Sequence, residues 1–207
     1  MTAQRFMHIV DDEAIVRASI VSLVQAHGAY ACREYASAEA FIAGLDVVEP
    51  GCVVLDLQLD GISGAAVIRA LAQRTDRFRM IIVTGFSDLA TAIEAFRAGA
   101  VEFLHKPYEM RALLDAVDRG FHLLEQGAEP PALVAEAKAR IARLTAEESD
   151  VLALLIRGQT NQDIARLLDL DPRKVQIHRA RALAAIDAPS ILAAIRTAAI
   201  AGWPAAD

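Results

Sequence analysis

Cysteine, lysine and aromatic residues are all scarce in this chain of 207 residues. Cys32 and Cys52 are too few and too scattered for a disulfide framework or a thiolate metal cage, so a reducing, cytoplasmic setting is expected. Aromatics make up 5% of the chain against 55% hydrophobic residues overall, which implies an aliphatic, alanine-rich core. Such a core suits helices packed on a parallel sheet, or small helix bundles. No uncharged apolar run reaches the roughly 18 residues that a membrane span needs. The segment from Met1 to His8 runs straight into a strand-like stretch and lacks a signal peptide's apolar region, so export is not expected. Lysine occurs only at 106, 138 and 174, against 18 arginines, so a lysine placed directly before Pro107 departs from the compositional default.

The net charge of −6 argues at first against nucleic acid. Its distribution matters more. Residues 1–143 carry 14 basic and 19 acidic side chains, residues 144–207 seven and eight, and Arg173, Lys174, Arg179 and Arg181 cluster with no acid between them. One basic face suffices to meet phosphates.

The first 123 residues alternate strand and helix. Strands are predicted at Phe6–Val10, Tyr30–Tyr35, Cys52–Leu55, Met80–Val83 and Val101–Leu104. Helices are predicted at Ile15–Gln25, after Ser37, at Ser63–Gln73, at Asp88–Arg97 and from Glu109 onward, with Gly28 ending the first as a glycine cap. Five such repeats imply an α/β, doubly wound, five-stranded parallel sheet. Gly127 to Pro131 breaks the pattern, Leu133–Arg143 is helical again, and further helices follow at about 146–157, 161–169, 172–186 and from Pro189. Thr145 with Glu148 carries the signature of a capping box, and Asp171-Pro172 that of a helix start. The expected division is 1–123 for the first domain, 124–143 for a linker helix and 144–207 for a second, all-α domain.

In open parallel sheets, ligands bind at the carboxyl ends of the strands. Asp11 and Asp12 follow the first strand, Asp56 ends the third, Thr84 ends the fourth and Lys106 follows the fifth. These groups should therefore share one crevice. Clustered carboxylates repel unless a cation sits among them, and a hard divalent ion such as Mg²⁺ prefers oxygen ligands. Lys106 can pair with a phosphoryl group as a point charge, and Thr84 can hydrogen-bond it.

The pattern Asp11-Asp12, Asp56, Thr84, Lys106-Pro107, with Gly61, Gly64 and Gly99-Ala100, resembles the receiver domain of two-component response regulators, a flavodoxin-like fold. The resemblance implies that Asp56 is the phosphoacceptor, with Mg²⁺ held by Asp12, Asp56 and the backbone carbonyl of Gln58, and Asp11 acting mainly through water. It further implies that Phe103 is the switch aromatic, moving inward as Thr84 turns to the phosphoryl group. The chain departs from the family at Asp60, where proline is usual, which places an extra carboxylate near the site. A phosphohydrolase on a similar fold would need an acid two residues after its nucleophile, and Gln58 stands there. A non-enzymatic regulator that assists its own phosphorylation and dephosphorylation is expected instead. The remaining rival is a phosphate-independent interaction module with a vestigial pocket.

The stretch Leu144-Thr145-x-x-Glu148-x-x-Val151-Leu152, Gly158-x-x-Asn161-x-x-Ile164-Ala165-x-x-Leu168, then Val175-x-x-His178-Arg179, is similar to LuxR-type helix-turn-helix domains. With the receiver, it identifies the chain as resembling the FixJ/NarL class of regulators. By that resemblance Pro172–Ile186 is the recognition helix, with Val175, Ala182 and Ile186 turned to its core. Arg173, Lys174, Arg179 and Arg181 would contact phosphates of double-stranded DNA, Gln176 and Ile177 base edges, and His178 either DNA or its own domain. Lys174 stands where threonine is usual and Ala180 where a polar base-contacting residue is common. The apolar stripe Ile191, Leu192, Ile195, Ile200 packs either on its own domain or on a second copy. A sensor histidine kinase, DNA and a homodimer on activation are the implied partners, with no membrane.

Overall fold

A computed structural model describes residues 4–85 and 89–203, arranged as two compact units that divide between Ala128 and Glu129. The division falls inside the 124–143 segment expected to link the domains.

In the first unit the chain runs β1 (Arg5–Val10), α1 (Ala14–His27), β2 (Tyr30–Tyr35), α2 (Ala38–Gly44), β3 (Gly51–Leu55), α3 (Gly64–Leu71), β4 (Phe78–Thr84), α4 (Leu89–Arg97), β5 (Ala100–His105) and α5 (Met110–Gln126). The strands form one parallel sheet in the order β2-β1-β3-β4-β5, which is the doubly wound fold expected from the alternation. The expected start of α4 at Asp88 lies outside the described residues. β3 is buried along its whole length, as a central strand covered on both faces must be. Met7, Ile9, Cys52, Val54, Ile81, Val83 and Val101 form one core with Ile20 and Val24 of α1 and Leu113, Val117 and Phe121 of α5. Each such side chain, fully buried, contributes roughly 1.5–3 kcal/mol.

Gly28 ends α1 as expected, its N–H donating to the Val24 carbonyl at 3.0 Å, with an extended backbone at φ −166°. Its requirement is for space, because a Cβ there would come within 2.9 Å of the Tyr30 ring. A true left-handed cap occurs at Gly127, φ 71°, which ends α5.

On the opposite face of β1, His8 is fully buried among the rings of Tyr35, Phe41 and Phe78, with its Nε2 2.9 Å from the Glu49 carbonyl. Burial lowers its pKa below the ordinary 6.5, and the charge of Arg33 adds to this against the Glu49 hydrogen bond. The neutral ring is thus favoured by folding. Its contribution is complete above the unfolded-state value and is lost as pH falls toward the lower folded value. Urea midpoints are therefore expected to fall from pH 7.5 to pH 5.5 in the wild type, and to fall less in His8→Gln. Equal slopes in the two proteins would refute this assignment.

The second unit contains α6 (Pro131–Ile141), α7 (Ala146–Ile156), α8 (Asn161–Leu167), α9 (Pro172–Ala185) and α10 (Ile191–Ala201). Thr145 and Glu148 make the expected capping box: Glu148 N–H donates to Thr145 Oγ1, and Thr145 N–H to Glu148 Oε2 at 3.0 Å. Thr160 and Asp163 make a second one at the start of α8. Val151, Leu155, Ile164 and Val175 pack together, and Leu152, Ala182, Ile186 and Ala194 form the adjoining core. Helix α6 packs against α10, whose Ala194, Ile195 and Ala198 are buried. Of the α10 stripe, Ile195 is buried within the unit, while Ile191, Leu192 and Ile200 are half-buried.

Candidate functional site: an acidic crevice and a basic helix

The parallel register brings the carboxyl ends of β1, β3, β4 and β5 to one edge of the sheet. Asp11 follows Val10, and Asp56 follows Leu55, its register partner on β3. Both carboxylates are buried, 2% and 5% exposed, and Thr84 at the end of β4 is fully buried. Lys106 reaches across from the end of β5: its Nζ lies 2.7 Å from Asp56 Oδ2 and 2.9 Å from Asp11 Oδ2. Its backbone N–H donates to the Thr84 carbonyl at 2.9 Å, joining the β4 and β5 ends, and the Lys106-Pro107 peptide is cis. Burial disfavours the ammonium, but hydrogen bonds and charge from Asp56 and Asp11 outweigh it and raise its pKa above the ordinary 10.5.

The other carboxylate oxygens hold the turns. Asp11 Oδ1 accepts the Glu13 N–H and Asp56 Oδ1 the Gln58 N–H, each at 2.9 Å. Both oxygens of Asp11 are thus engaged inside the protein. Asp12, Asp56, Gln58, Leu59, Asp60 and Lys106 line a crevice of about 600 Å³. Asp12 is half-buried, whereas Gln58 and Asp60 are exposed. Among the described residues no three His, Cys, Asp or Glu side chains converge as a cage. Two carboxylates and a backbone carbonyl on an open crevice are nonetheless an oxygen-only donor set of the kind Mg²⁺ takes while retaining several waters. Phe103 is buried on β5, opposite Ile82 in register.

Arg17 is a site residue that the sequence reading did not single out. From α1 its Nη1 donates to the backbone carbonyls of Asp11 at 2.8 Å and Asp12 at 3.0 Å, while its Nε lies 3.4 Å from Glu34. A guanidinium fork is suited to clamp two acceptors at once. An arginine one turn into the helix after an acidic doublet is the available signal.

In the second unit α9 carries no acidic residue, and its N-cap Asp171 accepts the Arg173 N–H at 2.7 Å. Val175, Ala182 and Ile186 are fully buried. Arg173, Lys174, Gln176, Ile177 and Arg181 are exposed, while His178 and Arg179 are half-buried. Ile177, half exposed, is a large apolar side chain on an otherwise basic surface. The His178 Nδ1 is buried without a hydrogen-bond partner among the described residues.

An acidic crevice with a bridging lysine at the strand ends, followed by a helix-turn-helix with a basic third helix, defines a signal receiver coupled to a DNA reader. The response regulator receiver domain matches residues 7–118, and the bacterial regulatory proteins of the luxR family match residues 142–198. The chain belongs to the two-component response regulators of the FixJ/NarL class, which are transcription regulators. It is 34% identical to the transcriptional regulatory protein FixJ of Rhizobium meliloti, over 95% of this chain and 96% of the relative. The FixJ of Azorhizobium caulinodans is 35% identical, over 97% and 95%. The crystal structure of full-length FixJ from B. japonicum superposes with a TM-score of 0.53 at 33% identity, covering 97% of this chain and 98% of that one.

Proposed function

We propose that the chain is a cytoplasmic transcription regulator switched by phosphorylation of Asp56. A sensor histidine kinase presents a phosphohistidine, and the Asp56 carboxylate attacks its phosphorus. The P–N bond breaks, the imidazole leaves, and an acyl phosphate forms. The observation that carries this reading is Lys106 Nζ at 2.7 Å from Asp56 Oδ2, a fixed cation beside a carboxylate that opens onto a crevice. Asp12, Asp56 and the Gln58 carbonyl would hold Mg²⁺, which supplies charge neutralisation for the approaching phosphoryl group. Asp11 keeps Lys106 aimed at the pocket, with its own reach to the ion through water. Thr84 hydrogen-bonds the added oxygens, Phe103 packs behind it, and the differential contacts shift the receiver between two states.

The active state dimerises through the receiver and brings two copies of α9 onto adjacent half-sites of DNA. Arg173, Lys174, Arg179 and Arg181 hold phosphates, Gln176 and Ile177 touch base edges, and His178 supports the helix from its half-buried place. No helix among the described residues is long and apolar enough to cross a membrane. Adding Mg²⁺ with beryllofluoride, a phosphoryl mimic, is expected to convert the full chain from monomer to dimer in sedimentation, while Asp56→Asn stays unchanged. An identical response in both proteins would rule the reading out.

A further inference from the structure

The loop between Leu57 and Ser63 forms one wall of the acidic crevice, which Gln58, Leu59 and Asp60 all line. One end is tied by the Gln58 N–H to Asp56 Oδ1 at 2.9 Å. The other is tied by the Gly64 N–H, which donates to the Leu57 carbonyl at 3.3 Å. Between these ties stands Asp60, in place of the proline usual in the family, followed by Gly61 with φ +90°. Proline fixes its own φ; aspartate followed by glycine leaves the chain free to adopt many conformations.

A restraint reaches this stretch from another element. Glu39, in the first turn of α2, accepts the Ile62 N–H on its Oε1 at 2.8 Å. Gly61 lies so near that a Cβ there would come within 2.8 Å of the same oxygen. The α2 turn that presents Glu39 is itself fixed by Ser37, whose hydroxyl accepts the Ala40 N–H at 3.2 Å. Hydrogen bonds from its own backbone N–H, from Ile62 and from Ser37 hold the Glu39 carboxyl below its ordinary pKa, so it is an ionised acceptor at neutral pH.

We propose that Glu39 is a positioning residue for the Mg²⁺ and phosphoryl pocket: its tie to Ile62 supplies the loop restraint that proline supplies elsewhere in the family. The inference rests on the reading of the crevice as the phosphorylation site. The loop carries the Gln58 carbonyl, so a slack loop must be ordered anew each time the cation binds, at a cost in conformational entropy. Once the cation is bound the pocket is the same. Losing Glu39 should therefore weaken Mg²⁺ without altering the rate at saturation.

The test uses the full chain, acetyl phosphate and a Mg²⁺ titration, with Asp56 adduct formation followed by mass. Glu39→Ala is expected to raise the half-saturating Mg²⁺ about tenfold, at the low end for a residue supporting a metal ligand, with the plateau rate unchanged. Glu39→Gln keeps an acceptor oxygen and should restore the wild-type value. The Ile62 amide resonance reports the tie itself, lost in Glu39→Ala and kept in Glu39→Gln. A lost tie with wild-type Mg²⁺ dependence, or Gln and Ala variants that behave alike, would overturn the inference. A wild type that forms no adduct defeats the phosphorylation reading alone. The same Mg²⁺ titration followed by the Gln58 and Ile62 amide shifts then decides the inference by whether Glu39→Ala weakens the cation.

Discussion

Lys106→Met is expected to destabilise the receiver unit by roughly 3 kcal/mol, the low end for removing one partner from a buried ion pair. The lysine side chain is 24% exposed, but both carboxylates it bridges are buried, so their charges would be left facing each other with little water between. Because the raised pKa keeps Lys106 charged at neutral pH, the effect is fully present there and fades only as pH rises through its folded-state value. The cost should be smaller in the background of Asp56→Asn, since a coupled pair is not additive, but it should not vanish, because Asp11 Oδ2 also lies 2.9 Å from Lys106 Nζ. Saturating Mg²⁺ should recover part of the loss by replacing one cation with another. Urea unfolding of the four proteins of this cycle, with and without Mg²⁺, measures all three. Additive losses in the cycle would mean that the 2.7 Å contact carries no coupling.

The second large effect concerns α9. Replacing Arg173, Lys174 or Arg181 with alanine should weaken binding to any duplex and reduce the slope of log affinity against log salt by about 1 per residue. These three are exposed on a helix without acidic residues, so nothing within α9 neutralises them. Gln176→Ala should act differently. It should cost about 1–3 kcal/mol on the preferred site, relax the choice of base at one position and leave the salt slope unchanged. Fluorescence anisotropy across a salt series, on a random duplex and on a duplex selected for tight binding, separates the two classes. A basic substitution that leaves the salt slope intact would remove that residue from the phosphate contacts.

Much of this was legible because parallel sheets obey a simple rule. Apolar strands that each end in a polar group place those groups at one edge, and Asp11, Asp56, Thr84 and Lys106 follow it. Capping made Thr145 readable, because it depends on a residue within one helical turn, while the burial of Val175 was expected from the family resemblance. Contacts that depend on tertiary placement were not readable. Glu39 meets Ile62 across 23 residues, and only the packing of α2 beside the β3–α3 loop makes them neighbours. Gly28 was readable as the end of α1, but its need for space beside the Tyr30 ring was not. His8 sits in an apolar strand pattern with nothing local to show that Glu49, 41 residues away, satisfies its ring.

The central claim is that Asp56 accepts a phosphoryl group, and one measurement addresses it directly. The intact chain is incubated with Mg²⁺ and acetyl phosphate, then weighed by mass spectrometry beside Asp56→Asn. The account predicts a gain of about 80 Da, the mass of one phosphoryl group, that is labile at alkaline pH, requires Mg²⁺, and is absent in Asp56→Asn. No gain in the wild type, or an equal gain in both proteins, would contradict it and leave a DNA-reading protein controlled by something other than Asp56.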